Sequence, residues 1–147
     1  MNRMDRYNLR RFVDAQAQNY CGYEQALREI RNGRKTGHWI WYIFPQLRAL
    51  GRSPTALHFG ISGLEEAREY LKVASLKENL LEICGALLKL ETCDAGYVMG
   101  GHPDDMKLKS SMTLFFEAAP EIDVFQKVLD KYFGGRQDQN TLRILGK

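Results

Sequence analysis

The sequence predicts an all-α fold: a single globular domain, residues 1–147, of about seven to eight helices. Three observations carry this expectation. Apolar residues recur at helical spacing in one segment after another. From Val13 onward no alternating apolar and polar run is bounded by hairpin turns. Proline and glycine stand between segments as punctuation and are not pooled into a linker, and no repeat or low-complexity stretch divides the chain.

The first helix is expected from Asn8 to Gln18, with Leu9, Phe12, Val13 and Gln16 on one face and Asn8 as N-cap. A second should run from Tyr23 to Arg31, turn Ala26, Leu27 and Ile30 inward, and stop at Gly33. His38 to Phe44 is apolar at nearly every position, so periodicity alone does not separate helix from strand. Its helical surroundings favour a short buried helix, ended by Pro45. Leu47 to Ser53 reads as a loop, with Gly51 permitting a positive φ.

Ser62 to Glu65 and Ser75 to Glu78 both match the capping box, in which each residue satisfies a backbone donor of the other. They should open helices over Gly63 to Lys72 and Leu76 to Glu91. The second carries Leu80, Ile83, Cys84, Leu87 and Leu88 at helical spacing and is the expected central helix. Thr92 to Gly101 is a connection with room for one helical turn. Pro103, Asp104 and Asp105 suit the first turn of a helix reaching Pro120, because carboxylates favour the positive end of the dipole. Glu121 to Phe133 follows and ends at Gly134-Gly135, and Asp138 caps a last helix over Thr141 to Leu145.

At 147 residues the chain can bury roughly 70% of its unfolded surface without a metal or disulfides. A net charge of +3 tolerates an anionic ligand but falls short of a nucleic-acid footprint, so no nucleic-acid partner is expected. Cys21, Cys84 and Cys93 form no C-x-x-C and have no histidine at ligand spacing. No disulfide framework, metal or cofactor is therefore expected. The N-terminal stretch has no apolar leader and no apolar run approaches the ~20 residues that span a bilayer, which predicts a cytoplasmic protein without a membrane partner. Phosphate-loop, dinucleotide, zincin and α/β-hydrolase signatures do not occur.

Two blocks carry candidate chemistry. Gly33 to Ser53 holds both tryptophans, flanked by Arg34 and Lys35 before and Arg48 and Arg52 after. On a helix, residues two apart point to opposite sides, so Trp39 and Trp41 cannot both face one core. One should be buried while the other lines a cleft and offers a stacking face. Lys35 and Arg48 suit anion contacts, against the alternative of a solvated basic edge. Gln46, behind Pro45, can read an amide or base edge or close the backbone of the turn. Ser53 joins this set of ligand-binding candidates.

The second block is Asp104 to Phe116. Asp104, Lys107 and Ser111 stack on one side of a helix, with Ser110 and Thr113 displaced. Hydroxyls mid-helix have a local cost, which suggests interhelical hydrogen bonding or ligand contact for Ser110, Ser111 and Thr113. His38, Asp105 and Lys107 are the candidates for proton transfer. His58 and His102 are placed in loops and rank below them.

The chain Tyr23-x-x-Ala26 through Lys35-x-x-His38-Trp39-x-Trp41 to Pro45-Gln46, together with Lys107-Leu-x-Ser-Ser-Met-Thr-Leu-Phe115 and Val128-Leu-x-x-Tyr132-Phe133, resembles the DUF1810 family. The resemblance spans almost the whole chain. It implies an α-helical single domain and no defined activity.

The functional expectation is a pocket between the two blocks that binds a nucleotide-like or other planar anionic small molecule, with or without acting on it. The alternative is a protein-interaction module that uses exposed aromatic and arginine residues. A concave site favours the first and a flat aromatic patch the second.

Overall fold

The computed structural model describes residues 6–147; the first residues of the stretch read for a leader lie outside them. The described residues form ten α-helices rather than seven to eight: α1 (Arg10–Gln16), α2 (Tyr23–Arg31), α3 (Ile40–Ile43), α4 (Pro54–Phe59), α5 (Leu64–Tyr70), α6 (Ala74–Lys89), α7 (Ala95–Val98), α8 (Asp104–Ala118), α9 (Val124–Phe133) and α10 (Gln139–Ile144). A 3-10 turn covers Arg48–Leu50. Extended pairing among the described residues is confined to one parallel bridge, Leu47 with Ile61.

The centre of the fold is α8, not α6. Every residue from Leu108 to Phe115 except Lys109 is buried, as expected of a helix packed all round. It touches α3, α5, α7, α9 and α10, whereas α6 turns one face, Leu76, Leu80, Ile83, Cys84 and Leu87, towards α1, α2 and α9. Aromatic rings link the layers. Phe12 of α1 meets Tyr70 of α5 edge-on at 5.1 Å, Tyr70 meets Phe115 at 5.2 Å, and Phe115 meets Phe125 of α9 at 5.8 Å. Gln16, buried in this apolar setting, has its amide satisfied by the Tyr42 carbonyl, the Tyr70 hydroxyl and Asn79.

Several boundaries differ from expectation for identifiable reasons. Asn8 does not cap α1: its φ is +53° and the helix starts after Leu9. Gly51 has a φ of −91°; glycine is required there because a Cβ would lie 2.7 Å from that of Ala56. Helix α4 falls where no element was expected, opened by a Ser53 side chain that accepts from the Ala56 N–H and by Pro54 at the first helical position. Ser62 pairs with Glu66 instead of Glu65, through its N–H and its hydroxyl, both at 2.9 Å. Glu66, one residue beyond the box position, is turned inward as the ion-pair partner of Arg11, 2.8 Å away. Ser75 lies inside α6, whose N-cap is Val73 with no side-chain cap. Helix α9 begins at Val124, three residues later than expected. By contrast α2 and the Asp138 cap of the last helix lie where the spacing put them.

Candidate functional site

The site begins with how α2 ends. Gly33, with φ +97°, donates to the Ile30 carbonyl, and Arg34 donates to the Glu29 carbonyl; this paired closure needs a left-handed residue. The chain then crosses to α7, where the Lys35 N–H donates to the Val98 carbonyl at 2.7 Å. Gly100 lets the backbones approach this closely. Its φ is +77°, and a Cβ there would lie 2.6 Å from the Lys35 carbonyl oxygen.

Glu29 shapes the next four residues. One carboxylate oxygen accepts from the Thr36 and Gly37 N–H groups, each at 2.8 Å, and from the Trp39 indole at 2.9 Å; the other accepts from Gln25 at 2.8 Å. Burial alone would raise the pKa of this carboxyl. The donors of Gly37, Thr36, Trp39 and Gln25 outweigh it and hold the pKa at about 2. Trp39 is thereby fixed in the core at 0% exposure, 6.2 Å from Phe44. Of the two tryptophans it is the buried one, and Trp41 is only part-buried.

The two sequence blocks meet at Asp104, the first residue of α8. Lys35, 7% exposed, places its ammonium 2.7 Å from one Asp104 oxygen and 5.2 Å from the Trp39 ring. Lys107 lies 3.4 Å from the other oxygen, with its ammonium 5.2 Å from the centre of the Trp41 ring. Two cations, one carboxylate and two indoles thus form one cluster. One turn beyond Lys107, the Ser111 hydroxyl is fully buried and has no hydrogen-bond partner among the described residues. Asp105 pairs instead with exposed His102 at 3.0 Å and with the Met106 N–H.

The remaining candidates lie outside the cluster or are engaged elsewhere. His38 is exposed and its ring makes no hydrogen bond, ion pair or ring contact among the described residues. The Gln46 carbonyl accepts from Ile61, which closes the turn behind Pro45. Ser53 caps α4, and His58 lies in that helix rather than in a loop. Arg48 lines a different cleft, of about 340 Å³, with His58, Arg11 and Glu66. The Ser110 hydroxyl donates to the Met106 carbonyl. The Thr113 hydroxyl donates to Lys109 and accepts from the Asp138 N–H, an interhelical tie.

Five surface clefts of 340 to 500 Å³ have linings that include none of Lys35, Trp39, Trp41, Asp104 or Lys107. Among the described residues no three His, Cys, Asp or Glu side chains converge to hold a metal, and no helix is long and apolar enough to cross a membrane.

Sequence reasoning missed Glu29, although a signal was present. A carboxylate in the last turn of α2 faces the negative end of the helix dipole, so its place there calls for specific donors.

Fold and site together define an all-helical protein whose polar centre is a carboxylate shared by two lysines beside tryptophan. The chain belongs to the DUF1810 family, proteins of unknown function, whose profile matches residues 6–145. Curated proteins provide no match. Among solved structures, the conserved hypothetical protein Rv1873 from Mycobacterium tuberculosis is similar over 97% of this chain and 99% of its own, with 44% identity and a TM-score of 0.91.

Proposed function

We propose that the protein binds a small planar anionic molecule at the face formed by Trp41, Lys107, Lys35 and Asp104. One observation carries this reading: the two lysines share a single carboxylate, and Lys107 rests on the part-buried ring of Trp41. A flat ligand replaces the Lys107 ammonium on the Trp41 ring and offers its own negative charge to that ammonium, so the cation exchanges one partner for another without being desolvated alone. The unpartnered Ser111 hydroxyl supplies a further polar group at the inner end of the same helix stripe. Asp105 with His102, and Lys107, are the groups able to move a proton should the ligand react.

Thermal melting against nucleotides, NAD-related metabolites, sugar phosphates and amino acids tests the reading. A ligand at ~100 times its Kd adds about 2.7 kcal/mol, a rise on the order of 5–10 °C at this size. The rise should vanish in Trp41→Ala and Lys107→Ala. Trp39→Ala does not test the site, because it removes a fully buried ring from the core. A flat panel sinks the proposal.

A second reading has its own observation. Tyr97 is 55% exposed, with the Arg34 guanidinium 4.9 Å over its ring and bonded to its carbonyl. A rigid Arg–Tyr pair on the surface is the composition of an interaction hot spot. Capture of a protein partner that is lost in Tyr97→Ala, together with a flat metabolite panel, favours it.

A further inference from the structure

We propose a second binding site, for an amphipathic monoanion such as an aliphatic carboxylate, in the cleft between the C-terminal halves of α2 and α6. The cleft encloses about 490 Å³, within the range of small-molecule sites. Leu81, Gly85, Ala86 and Leu90 make its apolar wall; Arg31, Glu82 and Lys89 are charged.

Gly85 is the telling residue. It sits inside a 16-residue helix, where glycine is less stable than alanine. Nothing lies within 4 Å of the position its Cβ would take. Neither conformation nor crowding requires a glycine here. What its missing side chain provides is open space above the wall of the cleft.

The charges fix the class of ligand. Glu82 already accepts from the Tyr23 hydroxyl at 2.6 Å, and its other oxygen is 3.8 Å from Arg31, beyond hydrogen-bond reach. Among the described residues the Arg31 guanidinium and the Lys89 ammonium have no hydrogen-bond acceptor. Neither is needed to close a helix end. Gly33 and Arg34 close α2, while Tyr132 and Lys131 take the Leu87, Leu88 and Leu90 carbonyls at the end of α6. Two cations against one engaged carboxylate leave a single positive charge beside the apolar wall of a mixed cleft. A carboxylate head on Arg31 and Lys89, with its chain over Gly85, matches both.

The test is an amide NMR titration of the intact protein with octanoate and decanoate, with octanol as the uncharged control. Saturable shifts centred on Leu81, Gly85, Ala86 and Leu90 are expected, at least tenfold weaker for octanol and for Arg31→Ala, and absent in Gly85→Leu. Gly85→Ala, which has room for its methyl, should melt above the parent and weaken binding less, which separates filling the cleft from unfolding. Equal affinity for octanol, undiminished binding by Gly85→Leu, or shifts centred elsewhere overturns the proposal. Trp41→Ala should leave this titration unchanged, so the outcome is independent of the Asp104 cluster.

Discussion

Glu29 and Asp104 flank the same short loop, and they hold it in opposite ways. Glu29 is surrounded by neutral N–H donors, several of them on the loop itself. Its charge is met by converging dipoles, and the arrangement fixes Trp39 in the core. Asp104 is held by two ammonium groups, one buried and one part-exposed. A carboxylate solvated by fixed backbone dipoles is tied to one arrangement; one shared by two lysine side chains is held by longer, unbranched groups. Removing groups from each side of the loop should expose that contrast.

The largest effect is expected at Glu29. Glu29→Ala leaves the buried Trp39 indole and the Gly37 N–H without an acceptor. Losing charged hydrogen bonds of this kind should cost about 3 kcal/mol, read as a lower urea midpoint with unchanged slope. If the midpoint does not move, the loop is held by packing and the contrast with Asp104 fails.

Asp104→Asn comes next. It keeps the shape but leaves the Lys35 ammonium, 6% exposed, without a counter-charge. Because Asp104 itself is partly open to solvent, the expected loss is about 2 kcal/mol, below that of a fully enclosed pair. In a Lys35→Met background the same change should cost well under half as much. A double-mutant cycle reads the coupling directly, and additive effects would mean the pair does not interact.

Acid sharpens the comparison further. The folded pKa of Glu29, about 2, lies below its ordinary value of 4.5. A depressed carboxyl contributes stability that is complete above the unfolded value and is lost as pH falls through the folded one. Between pH 4.5 and 2 the parent should therefore lose about 1–2 kcal/mol that Glu29→Gln does not, a figure reduced because solvent reaches the carboxylate. Parallel urea midpoints for the two proteins across that window would remove Glu29 as the acid-sensitive group.

The contrast also marks what the chain discloses about itself. Helix α2 and its closure at Gly33 were legible because apolar spacing and a left-handed glycine are local properties. Helix α4 was missed although Ser53-Pro54 is a strong opening signal, since Thr55 to Phe59 has no apolar stripe to accompany it. The Ser62 box was matched in pattern and wrong in partner, because Arg11, far away in sequence, draws Glu66 inward. The candidate site behaves likewise. Residue types in the two blocks pointed to Lys35, Trp41 and Lys107, and the helical stripe grouped Asp104 with Lys107. That Asp104 also takes Lys35 is long-range pairing, which no window of sequence contains. The Ser53 hydroxyl caps a helix and that of Ser110 bonds back to its own helix, while that of Thr113 also makes the interhelical bond its mid-helix place suggested.

The smallest change in stability is expected at Lys107, and it separates a clamp from a contact surface. Its ammonium is 3.4 Å from Asp104, longer than that of Lys35, and its side chain is 24% exposed. A pair of this kind contributes little, so Lys107→Ala should shift the urea midpoint by no more than about 0.5 kcal/mol. Asp104 keeps Lys35, and the Trp41 ring becomes more open. A loss approaching that of Asp104→Asn would show Lys107 to be part of a three-residue structural clamp, and the reason for seeking a ligand there would go with it. A near-neutral change leaves a lysine over a tryptophan that the fold does not need, which is the condition under which binding can recruit both.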